Sequence, residues 1–149
     1  MRTNPIVVNE LKRIASKNKG ILKPEEVVKA AEPAKSPLHS YFCWNDTKAA
    51  QEYRIWQARM LIRTTVQILE VNGNKEPIRV FVSLKPDREF EGGGYRETLA
   101  VVSNPKFRAQ LLQDAYEEMK VFQDKYSGLR ELASVMWAIK GVLKRKCRG

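Results

Sequence analysis

The segment from residue 36 to residue 62 constrains the fold most, because it joins an aromatic run to the start of a long helix. Residues 38–44 are too aromatic for a solvated loop, so they are predicted to pack. Asn45 or Asp46 can cap a helix by accepting a hydrogen bond from a free backbone N–H. The pattern that follows predicts a third helix ending near Thr65, so this segment is expected to organise the fold.

Two shorter helices are predicted before it. Apolar residues recur at helical spacing over residues 6–15, and residues 18–20 supply a stop. Pro24 suits a first helical turn, and Glu25 and Glu26 complement the positive end of the helix dipole. The second helix is therefore predicted over residues 24–31, after a short extended link.

A β-hairpin is predicted after the third helix. Residues 66–71 and 77–84 have strand-like composition, and the Asn-Gly-Asn between them tolerates the positive φ of a tight turn. Residues 85–94 contain proline, charges and three consecutive glycines, which predicts a mobile loop. Residues 95–102 fit either a third strand or a short helix, and periodicity leaves both open.

The last third of the chain predicts a helical hairpin. Asn104 and Pro105 open a long helix with one apolar face that ends near Tyr126, and Gly128 breaks it. Apolar residues from Leu129 onward then recur at three- and four-residue steps, the spacing of a seam between helices. This seam is expected to pack on the first half or to form a homodimer through residues 105–143.

The predicted elements define an α+β fold. Two short helices, a longer third helix and a β-hairpin follow the element order of a winged helix-turn-helix, in which the third helix enters the DNA major groove. We expect a winged-helix-like region over residues 1–102 and a helical hairpin with a basic tail over residues 103–149. The two regions are predicted to pack as one domain.

The charge of the chain favours a polyanionic partner. The 27 Lys and Arg against 17 Asp and Glu leave a net charge of +10, which favours nucleic acid, with DNA ahead of RNA. Binding is expected to depend mainly on phosphate contacts, to which the amino-terminal cations can add. The predicted contact residues are Lys48, Gln51, Arg54, Arg59, Arg63, Lys75, Arg79, Lys144, Arg145 and Lys146.

Each of these surfaces has a structural alternative. The third helix can be a core helix whose apolar face includes Tyr53, Trp56 and Met60, since a helix apolar on several sides is usually buried. Aromatic side chains at such spacing form core more often than a stacking platform for bases. The cations at the carboxyl end can simply complement a helix dipole and keep the protein soluble.

No recognisable catalytic constellation is apparent, so the chain is predicted to be non-enzymatic and to need no cofactor or metal. His39 is the only histidine and is expected to make a structural hydrogen bond. Asp87, Glu89 and Glu91 weakly resemble a metal-dependent nuclease strand, an alternative that requires rigidly held carboxylates. Cys43 is expected to be a buried free thiol.

Five segments carry a resemblance: residues 20–31, Ser-Pro-Leu-His at 36–39, Phe-Cys-Trp-Asn-Asp-Thr-Lys-Ala-Ala at 42–50, Tyr-Arg at 53–54 and Gln-Ala-Arg-Met-Leu-Ile at 57–62. Over about residues 10–85 the chain resembles small phage- and prophage-encoded proteins. The resemblance implies the cytoplasm of a bacterial host and a DNA-handling, regulatory or particle-assembly role. The alternative function is a protein-interaction module, namely a phage adaptor, an inhibitor of a host factor or a virion assembly component.

Overall fold

The protein is described by a computed structural model that covers residues 4–44, 48–71 and 73–146. The chain forms two compact units, residues 1–105 and residues 106–149. The first unit mixes helices with two small antiparallel sheets, and helices make up the described part of the second. The predicted α+β class is therefore confirmed, while packing of the two regions as one domain stays a prediction.

Helix α1, Pro5–Lys17, begins and ends as its sequence predicts. The Asn4 side chain accepts a hydrogen bond from the backbone N–H of Ile6, which satisfies one free donor at the helix start. After the helix, Lys19 and Gly20 both adopt positive φ and turn the chain into the first strand. The residues that α1 buries are Val7, Val8, Leu11, Ile14 and Ala15.

Helix α2 spans Pro24–Ala31, the predicted range; it packs against α1 and α3, and it buries Val27 and Ala31. A 3₁₀ turn, His39–Tyr41, follows the connector. The His39 ring nitrogen Nδ1 lies 2.9 Å from the carbonyl oxygen of Ala31, to which it donates a hydrogen bond. The prediction of a structural role for His39 is confirmed.

The aromatic run packs as predicted in part, with Tyr41 and Cys43 exposed. Phe42 is buried, and the Trp44 ring stacks on His39 with ring centroids 4.9 Å apart. Cys43 is exposed, so the prediction of a buried thiol is wrong. Because alternate residues of an extended segment point to opposite sides, inward Phe42 and Trp44 direct the thiol outward.

Helix α3, Lys48–Thr64, packs against α2 and the sheet. Its core side is narrow, with Ala58 and Ile62 fully buried. The predicted cap at Asn45 or Asp46 lies outside the described residues. The helix is therefore anchored to the core along one side only, which leaves a broad face for other contacts.

Three short strands form the sheet on which the helices rest. They are β1, Ile21–Leu22, β4, Phe81–Val82, and β5, Tyr95–Glu97. The strands are antiparallel in the order β1-β5-β4, so a strand that follows α1 pairs with one much later in the chain. Leu22 and Phe81 are among the largest fully buried side chains, which places the core between this sheet and the helices.

Strands β2, Val66–Val71, and β3, Asn74–Arg79, form a separate two-stranded hairpin. Gly73 has positive φ in the turn, which confirms the predicted hairpin. The predicted second strand over residues 77–84 is wrong in its bounds. The Val80 N–H bonds back to the Thr65 carbonyl, so the chain leaves the hairpin at Arg79 and the next residues join the other sheet.

Residues 85–94 are more ordered than the predicted mobile loop. A short helix, α4, occupies Lys85–Glu89, and Gly94 is buried beside Ile21. Residues 95–102 contain both of the alternatives that periodicity left open, since β5 is followed directly by α5, Thr98–Ser103.

The second unit consists of α6, Pro105–Tyr126, a 3₁₀ turn at Arg130–Leu132, and α7, Ala133–Lys146. The two helices run antiparallel, because Lys146 Nζ at the end of α7 donates to Gln113 Oε1 in the first half of α6, 2.6 Å away. Among the described residues, no helix is long and apolar enough to span a membrane.

Candidate nucleic-acid interface

The exposed side of α3 carries two of the predicted contact residues. Arg59 and Arg63 are both exposed and lie one turn apart, so their side chains are neighbours on the helix surface. Ala58 and Ile62, each the preceding residue, are fully buried. Core packing therefore fixes the direction in which the two arginines project.

Two aromatic residues share this exposed side of α3. Tyr53 and Trp56 are 50% and 53% exposed, and their rings stack with centroids 5.6 Å apart. The alternative that placed them in the core is wrong, because α2 and the sheet cover only the opposite side of the helix. We call Tyr53, Trp56, Arg59 and Arg63 the α3 face.

Arg63 is oriented by the sheet. Its Nε donates a hydrogen bond of 3.2 Å to the hydroxyl of Tyr95, a buried residue of the central strand β5. This contact crosses from helix to sheet and restricts the long Arg63 side chain. Less side-chain entropy is then lost when Arg63 binds a ligand.

Arg54 serves the fold. Its guanidinium lies 5.4 Å from the centroid of the Trp44 ring, and its Nη1 donates to the Cys43 carbonyl. Gln57 accepts a hydrogen bond from the Cys43 N–H, so α3 holds both backbone polar groups of that residue. Gln51 is exposed, and the Lys48 side chain lies outside the described residues.

The hairpin cations lie on a different element. Lys75 and Arg79 are exposed on β3, and Lys75 pairs in register with Glu70 on β2. The acid opposite Lys75 offsets part of its charge. The structure therefore groups Arg59 with Arg63 on α3, and Lys75 with Arg79 on the hairpin.

The predicted basic tail is only partly available for binding. Lys144 and Arg145 are exposed in the last turn of α7. Lys146 turns back toward α6, where its ammonium bonds to Gln113 and lies 4.8 Å from the Tyr116 ring centroid. Lys146 therefore closes the helical hairpin.

Several amino-terminal cations are paired with acids. Lys12 Nζ lies 2.8 Å from Glu97 Oε1, and Arg13 forms hydrogen bonds with Glu10 on the same helix. The Arg13 hydrogen bond lowers the pKa of Glu10, and the same bond raises the pKa of Arg13. These cations stabilise α1 and its contact with β5.

The acidic segment is organised around an ion pair. Asp87 is 2% exposed and accepts two hydrogen bonds of 2.6 Å from Arg96, a contact that raises the pKa of Arg96. Glu89 and Glu91 are exposed instead of converging on Asp87. Within residues 4–44, 48–71 and 73–146, no three His, Cys, Asp or Glu side chains group as metal ligands.

Comparison with known proteins adds no relative. The chain matches no protein-family description, no curated protein and no solved structure. A functional interpretation therefore depends on the charge, burial and contacts of its own residues.

Proposed function

We propose that the protein binds nucleic acid, duplex DNA in particular, through the α3 face. The observation that supports this most is the placement of Arg59 and Arg63 on an exposed helix side whose opposite side is fixed in the core. Arginine at such a position contacts phosphates or the O6 and N7 acceptors of guanine. No catalytic step is part of this proposal.

We further propose that the first unit acts as a winged helix. The element order supports this proposal. Strands β4 and β5 come after α1, β1, α2 and α3 in the chain, and they form one sheet with β1. In the sequence, the β2–β3 hairpin comes between α3 and this pair of strands, and it forms a separate sheet. The wing is therefore assigned to residues 83–94, which connect β4 to β5, and the β2–β3 hairpin is an insertion.

The wing segment is held in a defined shape. Ser83 Oγ donates to the Gly94 carbonyl at 2.7 Å, which closes the segment at its base. Arg88 Nη1 donates to the Ser83 carbonyl, and Asp87 is anchored to Arg96 on β5. A preformed wing loses little conformational entropy when it meets a phosphate backbone.

The overall charge supports long-range attraction of a polyanion. Residues 1–105 hold seventeen Lys and Arg against twelve acids, and residues 106–149 hold ten against five, so each unit carries a net charge of +5. The resemblance to phage and prophage proteins is consistent with a DNA-handling role in a bacterial cytoplasm.

The test is a fluorescence-anisotropy titration of a labelled duplex of about 20 base pairs at several salt concentrations. The double variant Arg59→Ala/Arg63→Ala is expected to bind at least about tenfold more weakly and to reduce the salt slope by about two. The matched control, Arg13→Ala/Lys29→Ala, removes two cations that pair with Glu10 and Glu26 on their own helices.

The control is expected to bind nearly as well as the unaltered protein. Failure of the unaltered protein to bind duplex DNA at low salt would reject the proposal. Equal loss in both double variants would reject the α3 face and leave only a nonspecific charge effect.

A second candidate function is a protein-interaction module in the second unit. Leu112, Val121 and Val135 are exposed apolar side chains on α6 and α7, and Asp114 is the only buried residue described in either helix. A phage adaptor, host-factor inhibitor or virion component would use such a surface, as would a homodimer. Light scattering of the purified protein measures its mass and so tests for the homodimer. A monomeric mass would exclude the homodimer.

A further inference from the structure

Trp137 on α7 is 81% exposed, the highest value among the large apolar side chains of the described residues. The structure places this indole in solvent. Because so little of this indole is buried, its burial contributes little free energy to folding. The ring is therefore a candidate binding group.

Helical geometry surrounds Trp137 with positive charge. Lys140 and Lys144 follow it by three and seven residues, so they lie on the same side of α7, and Arg145 lies beside them. All three cations are exposed. We call Trp137, Lys140, Gly141, Lys144 and Arg145 the α7 face.

Gly141 leaves space beside the indole. It follows Trp137 by four residues, the position that would otherwise cover the ring, and a Cβ built there meets nothing within 4 Å. The α7 face contributes to the lining of a surface hollow of about 420 Å³. A flat group can therefore approach the ring with cations on both sides of it.

We propose that the α7 face binds unpaired nucleotides, with a base stacked on Trp137 and the flanking phosphates on Lys140, Lys144 and Arg145. Base stacking on an aromatic ring together with a positively charged track is the usual chemistry of single-strand binding. Bases in a duplex already stack on each other, so only an unpaired base offers its face. This site rests on the proposed affinity for nucleic acid and adds a single-strand surface to it.

The arrangement favours nucleic acid over a lipid surface. A helix that lies in a membrane interface separates a continuous apolar face from its cations. On α7 the half-buried apolar residues Met136, Ile139 and Leu143 lie on the side away from Trp137. Trp137 instead shares its side with the cations, as a base and its phosphates require.

The experiment uses the full chain and a fluorescein-labelled oligothymidine of about 12 nucleotides. Trp137→Ala is expected to weaken binding by about tenfold or more, whereas Trp137→Phe keeps a stacking ring and stays within about threefold. Gly141→Leu keeps every charge and fills the space beside the indole, so it is also expected to weaken binding. Tyr41→Ala removes an exposed aromatic ring that lies outside both the α3 face and the α7 face, and it is the control.

The outcomes separate this site from the α3 face. Loss of oligothymidine binding in Trp137→Ala, with duplex binding retained, supports the α7 face even if Arg59→Ala/Arg63→Ala shows no effect on duplex DNA. Unchanged oligothymidine affinity in both Trp137→Ala and Gly141→Leu overturns it. Trp137-dependent binding to vesicles of phosphatidylglycerol without oligothymidine binding also overturns it and assigns the face to lipid.

Discussion

The carboxylate of Asp87 and the guanidinium of Arg96 meet through two hydrogen bonds of 2.6 Å each. Asp87 lies in the short helix α4, and Arg96 lies in the central strand β5. The pair therefore fastens residues 83–94 to the sheet. It also explains why an acidic residue is almost fully buried there.

Asp87→Ala is expected to lower the free energy of unfolding by about 3 kcal/mol, because it removes one partner of a buried ion pair. Urea unfolding followed by circular dichroism measures the change. Glu89→Ala, an exposed acid in the same short helix, serves as the control and is expected to change stability by less than about 0.5 kcal/mol. Equal effects of the two substitutions would contradict the role given to the ion pair.

Gly94→Ala is expected to destabilise the first unit by about 1–3 kcal/mol, since an added Cβ would lie 2.8 Å from Ile21 Cγ2. Gly128→Ala meets nothing within 4 Å and is the matched control. Thermal unfolding of both variants measures the difference. An unchanged midpoint for Gly94→Ala would contradict close packing of Gly94 against Ile21.

Ile62→Ala is expected to cost about 2–5 kcal/mol, because Ile62 is fully buried where α3 meets the core. Trp56→Ala removes a larger side chain from the exposed side of the same helix and is expected to cost less than about 1 kcal/mol. Chemical denaturation of the two variants compares the sides of α3. A larger loss for Trp56→Ala would reverse the assignment of core and surface.

Local patterns predict most of the helices. Pro24 with Glu25 and Glu26 indicates the start of α2, and the bounds of α2 and α6 agree with prediction. The spacing of four residues between Arg59 and Arg63 also predicts that these two cations are neighbours on one surface of α3.

The sequence predictions are wrong or incomplete where the structure depends on packing between residues far apart in the chain. The spacing of apolar residues on α3 is compatible with burial of either of two sides of the helix. The packing of α2 and the sheet against α3 determines that the side with Ala58 and Ile62 is buried and that Trp56 is exposed. Pairing of β1 with β5 joins segments more than seventy residues apart, a contact that local periodicity does not encode. The sequence signal for the α7 face is Gly141, four residues after Trp137. Glycine inside a helix lowers the stability of the helix, so its presence there indicates a need for space.

Glu10→Gln tests the ion pair of α1 through its pH dependence. The hydrogen bond from Arg13 lowers the pKa of Glu10 below its ordinary value of 4.5. The pair therefore stabilises the fold fully above that value, and this contribution is lost as the pH falls through the lower native pKa. The variant is expected to melt about 1–2 °C lower at neutral pH and to approach the unaltered protein as the pH falls below the native pKa of Glu10. A difference that persists at acid pH would contradict this assignment.

Tyr95→Phe tests whether the sheet positions Arg63 for binding. The variant keeps the buried ring and removes only the hydroxyl that accepts the Arg63 Nε–H, so a loss of stability of about 1 kcal/mol is expected. If the α3 face binds duplex DNA, a less restricted Arg63 should weaken binding by about two- to fivefold. The salt slope should not change, because every cation remains.

Anisotropy titrations at three salt concentrations measure the affinity and the slope for Tyr95→Phe and for Arg63→Ala. Arg63→Ala is expected to lower both quantities, since it removes a phosphate contact. The double variant Tyr95→Phe/Arg63→Ala should then bind as Arg63→Ala does, because the hydroxyl acts only through the arginine. Additive losses in the double variant would show that Tyr95 affects binding by another route.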